Sequence, residues 1–253
     1  MTLRKHTGKI GLSSAPCEPP DVNLAMSVRK SAQPLRRQNI HAHVECHIGR
    51  IEQVFQNPDA SRDAPYSAHD DIEVLHVAPD PALPYHLLVT AGMSDQPMIL
   101  PADKNQDEAP SRLELMMILP QQWSLAGGAQ DERYGWPIRW LGTLARYPRI
   151  HNLWLGWGDV VPNGNPPRPF VSYTRQCGAI LAPSLQVPVA FYELGSGPDR
   201  IAFYAAIPLY LEEMALRQRE GMEVLFTKLL EHDIRDIVDC KRRNVAKRFF
   251  GLF

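Results

Sequence analysis

Residues 134–170 read YGWPIRWLGTLARYPRIHNLWLGWGDVVPNGNPPRPF, and the rest of the chain is organised around them. Pro137 stands where the first turn of a helix tolerates a missing N–H. Ile138, Leu141, Leu144 and Ala145 then recur at helical spacing, which predicts a helix that Pro148 ends, leaving Tyr147 extended. After that corner Trp154, Leu155 and Trp157 bring large apolar area, with Gly156 and Gly158 between them. Asp159, two valines and the strong turn chemistry of PNGNPP follow. The order is helix, tight corner, aromatic strand or loop, polar turn.

Upstream, HAHVECHIGRIEQVFQN predicts one amphipathic helix, with Val44, Ile48, Ile51 and Phe55 on its apolar face and Gly49 as its weak point. His43 and His47 share a face, but Val44 stands where HExxH chemistry needs a Glu, so no metal site is expected. Strands are expected around Ile72–Val77, from Tyr85 to Val89 and over LELMMILP, forming an antiparallel meander with one helix packed across it. Downstream, CGAILAP and VPVAFYEL read as short strands. The latter is expected to form a hairpin across GSGPD with RIAFYAAI, which Pro208 closes. From Leu209 to His232 the period turns helical, with Leu211, Met214, Ala215, Met222, Leu225 and Leu229 in one stripe, Leu216 and Val224 off it, and Gly221 a point of division.

The words HLLVTAGMSDQPM, LELMMILPQQW, YGWPIRWLGTLARYP and WGDVVPNG, preceded by IEQVF, together resemble the suppressor of fused family, in particular its compact, single-domain bacterial-type members. The resemblance implies an α+β fold: a mixed, largely antiparallel sheet with helices packed on it. It also implies a non-enzymatic protein-binding function. Animal members hold a transcription factor of the Gli type by a short peptide laid in as an added strand. Their groove uses a tyrosine at the end of the LARY-type helix and an aspartate in the Gly-Asp word, which match Tyr147 and Asp159. Trp157, Gly158 and Asn163 complete the partner-binding set. Val160 follows Asp159 where animal members have His, so peptide specificity does not carry over. Compact bacterial members look like immunity proteins that neutralise a cognate toxin. This is the expected function, with a peptide-binding regulator acting by strand addition as the alternative and an uncharacterised hydrolase as the outside one.

Composition excludes much else. A formal net charge of -1 offers no general attraction for nucleic acid, and no apolar run approaches the length of a membrane span. Cys17, Cys46, Cys177 and Cys240 form no CxxC pair, so neither a zinc site nor a disulfide framework is expected. Nucleotide-cradling and nucleophile-elbow motifs are missing. Catalytic residues, metal and cofactor are therefore expected to be none, the partner a protein or peptide, and the compartment cytoplasmic. Residues 1–38 read as a disordered basic arm, 39–240 as the domain, and 241–253 as a basic aromatic tail.

Overall fold

The computed structural model describes residues 22–58, 71–105 and 109–247, with side chains from Leu35 onward. It contains one eight-stranded sheet with helices on both faces. β1 (Ile51–Gln56), β2 (Glu73–Val77), β3 (Tyr85–Ala91) and β4 (Arg112–Pro120) form an antiparallel meander. β4 then lies parallel to β8 (Ile201–Tyr210), with Arg112 opposite Ile201 and Met116 opposite Ala205. β6 (Gln176–Ala182) pairs antiparallel with β8, and β5 (Val160–Pro162) pairs with β6 at the far edge. Two residues of β7 (Glu193–Leu194) also pair with β8.

Alternation along the strands sorts the core into two layers. Leu113, Leu115, Met117 and Leu119 of β4 meet Ile138, Leu141 and Leu144 of α2 (Trp136–His151) on one face. Met116 and Ile118 point to the other face, which is covered by Ile40 and Val44 of α1 (Val22–His47), Leu216 of α3 (Leu211–Glu220), and Leu225 and Leu229 of α4 (Met222–Glu231). Burial on both faces is why LELMMILP, Glu114 apart, is apolar and does not alternate.

The α+β class and the largely antiparallel sheet are as expected from the sequence. Several local expectations are corrected. IEQVFQ is a strand, because the helix stops at His47 and Gly49 lets the chain turn back onto β2. Residues 22–38, read as part of an arm, belong to α1, while residues 1–21 lie outside the described residues. Pro148 sits inside α2, and Tyr147 is helical. The helix ends at Asn152, whose backbone is left-handed (φ 50°) and whose N–H bonds Pro148 O. The last turn is held down by Arg149, which donates to the carbonyls of Gly92 and Met93. VPVAFYEL gives a 3-10 turn at Val189–Phe191 and only the two paired residues of β7, because Phe191 packs inward against Phe203. Pro208 does not close β8: it lies beyond Ala205, where pairing with β4 has ended, so its missing donor breaks no ladder. Gly221, at φ 94°, divides the last helical stretch into α3 and α4. Leu225 and Leu229 of the expected stripe are buried, but Leu211 is exposed and Leu216, expected off the stripe, is buried.

Candidate partner-binding site

The loop after α2 is shaped by its glycines and its aspartate. Trp154 donates from Nε1 to Pro110 O at 2.9 Å, and its ring folds over Gly156, where a Cβ would lie 2.0 Å from the ring. Leu155 is buried. Gly158 has φ 84° and sits against Met222, whose sulfur would be 2.2 Å from a Cβ there. Its N–H bonds Leu181 O at 2.8 Å, and its carbonyl accepts from Arg217 Nε at 3.1 Å. Asp159 closes the turn by accepting the Gly156 N–H at 2.8 Å through Oδ2. Among the described residues Oδ1 accepts no hydrogen bond. Asp159 is half-buried, and burial raises its pKa, partly offset by the Gly156 N–H and by the charges of Arg217 and Lys104.

With Trp154 and Leu155 directed inward, Trp157 is left 58% exposed. It lines an apolar cleft of about 280 Å³ with Leu185, Ile207, Phe226, Leu229 and Leu230. Leu185 and Leu230 are also exposed, at 67% and 63%. The Leu185 wall is fixed from below: buried Asp236 accepts the Ser184 hydroxyl, the Leu185 N–H at 3.2 Å and the Gln186 amide at 3.2 Å.

Of the expected set only Trp157 lines this cleft; Gly158 and Asp159 follow it in the loop, and Tyr147 and Asn163 lie apart. Tyr147 packs with the α2-side core, its ring 4.2 Å from that of His151, whereas the Trp157 cleft opens on the α4 side. Among the described residues no hydrogen bond or ring contact joins Tyr147 to Trp157 or Asp159. Asn163 shapes a turn: its side-chain amide donates to Arg168 O at 2.8 Å, and its backbone N–H to Cys177 O at 2.8 Å. Sequence reasoning missed Leu185 and Leu230. The adjacent Leu229 and Leu230 carried a signal, since neighbours on one helix cannot both face the same core.

The histidines near the N-terminus are engaged structurally. His41 bonds Glu73 at 2.8 Å, and His43 stacks on Phe191 and Phe203 and reaches Phe191 O. No group of three or more His, Cys, Asp or Glu placed to hold a metal ion occurs among the described residues. No described helix is long and apolar enough to cross a membrane. Burial pushes the Cys177 thiol up and that of Cys240 up to about 11, which disfavours the thiolate a nucleophile needs. Cys17 and the tail residues 248–253 lie outside the described residues.

The sequence profile of the suppressor of fused protein family (SUFU) matches residues 68–243. None of the curated proteins matches the chain in sequence. Among solved structures, a suppressor of fused homologue from Neisseria gonorrhoeae FA 1090 superposes with a TM-score of 0.60 at 15% identity, covering 85% of this chain and 99% of that one. A chain of the Sufu–Fu complex crystal structure superposes with a TM-score of 0.54 at 11% identity, covering 84% of this chain and 91% of that one.

Proposed function

The chain belongs to the suppressor of fused protein family, and from that premise we propose that it is a non-enzymatic protein-binding domain of the immunity type, which neutralises a cognate toxin by gripping it at the Trp157–Asp159 loop. The observation that carries the reading is the exposure of Trp157 beside Leu185 and Leu230 around one apolar cleft. Large rings in such a position are the usual anchors of protein interfaces, and Asp159 Oδ1, two residues on in the same loop, adds an acceptor for a charge-assisted bond. Trp157, Gly158 and Asp159 form the working set, with Gly158 shaping the loop. Tyr147 joins it only if the partner reaches round the sheet edge.

Co-expression tests this. The intact chain should relieve the toxicity of its cognate toxin and co-purify with it. Trp157→Ala with Leu230→Asp should abolish both effects while the domain stays folded. Retention of the complex by that double variant would remove the cleft from the interface, and a partner that is not a toxin would remove the immunity role.

Strand addition is the second reading, favoured by the position of β5 at the end of the sheet. Asp159 O and Asn163 N bond to β6, so alternation turns the backbone groups of Val160 outward. Pro162 offers no donor there, which limits the edge to a short contact. Val160→Pro should destroy partner binding if a strand is added and leave it intact if the cleft alone is used.

A further inference from the structure

We propose that a second, larger cleft, between the end of β4, the 131–134 turn and the 232–243 segment, takes an extended acidic segment of a protein partner. The cleft has a volume of about 890 Å³, inside the roughly 300–1,000 Å³ range of formed ligand sites. Its wall is well fixed. The 232–243 segment is stitched to β4 by a parallel bridge between Ile118 and Ile237 and by Val238 N–H to Ile118 O at 2.8 Å.

The lining is cationic where the chain as a whole is not. Five of its side chains are Arg or Lys (Arg133, Arg235, Lys241, Arg242 and Arg243) against two carboxylates, Asp233 and Asp239, in a chain with 27 basic and 28 acidic residues. Some of these charges are already committed. Arg242 is paired with Glu213 at 2.6 Å, and Arg235 with Asp233 at 3.1 Å. Arg133 and Lys241 have no carboxylate partner among the described residues.

Arg133 is also pre-set. Asp131 Oδ1 accepts the N–H groups of both Arg133 and Tyr134 at 2.7 Å, fixing the turn. Tyr173 donates to Arg133 O at 2.6 Å. The guanidinium lies over the rings of Tyr134 and Tyr173, 5.1 and 5.7 Å from their centroids. A guanidinium already stacked loses little freedom on meeting a carboxylate and presents its fork for a bidentate bond. Half-buried Trp123, held by its Nε1–H to Tyr134 O at 3.0 Å, adds a flat apolar floor.

The two aspartates favour a peptide over nucleic acid. They interrupt the positive field, which a continuous phosphate backbone would have to cross, whereas spaced carboxylates can avoid them. The cleft adjoins the one at Trp157 through Ile234 and Arg235, which line both, so one partner surface can span the two. Its charge chemistry stands apart from the immunity reading, and the experiment uses no native partner.

Fluorescence anisotropy on the full chain would use a labelled octapeptide of alternating Glu and Tyr. The same peptide with Lys for Glu and a short thymidine strand serve as counter-probes. The Glu peptide should bind, and weaken on going from about 50 to about 300 mM salt. Arg133→Glu with Lys241→Glu should weaken it by about tenfold or more, and Lys241→Ala, a surface truncation, by a smaller factor. Arg219→Glu, on the exposed side of α3, should leave it unchanged. Equal binding of the Lys peptide, tighter binding of the thymidine strand, no binding of the Glu peptide, or equal loss with Arg219→Glu would each overturn the proposal.

Discussion

Ser94 donates twice to a single oxygen of Glu114: its backbone N–H lies 2.9 Å from Oε1 and its hydroxyl 2.6 Å. The Gly92 N–H reaches the same oxygen at 3.1 Å, and Thr90 donates to Oε2 at 2.6 Å. Glu114 is fully buried, so these donors replace the water it has lost. From the outer side Arg36, Arg112 and Arg149 donate to the carbonyls of residues 92–95. Ser94→Ala should therefore cost about 1–2 kcal/mol, read as a lower urea midpoint with an unchanged slope.

Arg242 grips both oxygens of Glu213, at 2.7 and 2.6 Å. Glu213 also accepts the N–H groups of Tyr210 and Val245 and is 0% exposed. The basic stretch that begins at residue 241 is thus tied to the start of α3. Arg242→Ala would leave a buried carboxylate short of its countercharge, an expected loss of about 3–5 kcal/mol. A thermal melt would show it.

His76 Nε2 lies 2.9 Å from His86 Nδ1, with Glu52 3.9 Å from the other ring nitrogen. Burial first, and the charge of His86 second, lower the His76 pKa to about 4, against the pull of Glu52. The folded state therefore holds His76 neutral while the unfolded chain protonates it near 6.5. Stability should fall as pH drops from about 6.5 towards 4, and His76 adds nothing further below that. His43 and His86 are lowered too and act in the same direction. Urea midpoints across this window should fall less steeply for His76→Gln than for the parent chain.

Gly158 combines a left-handed backbone with contact against Met222. Gly158→Ala should cost about 2 kcal/mol or more, part of it backbone strain and part overpacking. Met222→Ala makes room for the new methyl, so the double variant should lose less than the two single losses added together. A thermal double-mutant cycle measures that coupling.

The sequence showed the sheet better than the edges of its elements. Apart from Glu114, LELMMILP and CGAILAP are apolar because both faces are covered, and they were legible as strands for that reason. IEQVFQ was not, since Val44, Ile48, Ile51 and Phe55 keep a helical spacing across a real break at Gly49. Pro148 and Pro208 misled where tertiary bonds outweighed local preference: Arg149 fastens the last turn of α2, and Arg242 Nη2 donates to Pro208 O at 2.8 Å on the open side of β8. At the candidate site the corner and its turn were visible, but the cleft beside Trp157 is assembled from residues 157, 185, 226 and 230. No local pattern joins positions so far apart. The Gly-Met-Ser-Asp and Leu-Glu-Leu words, which pointed to the family, meet in the buried Glu114 cluster and record architecture rather than recognition.

The parallel seam between β4 and β8 lays residue 112 beside residue 201 at the middle of the sheet. During synthesis the first four strands must wait, with one flank open, until residues 201–210 have left the ribosome. Such long-range closure slows folding and leaves an adhesive edge in the meantime. A nick anywhere between the two strands would yield fragments that need each other to complete the sheet.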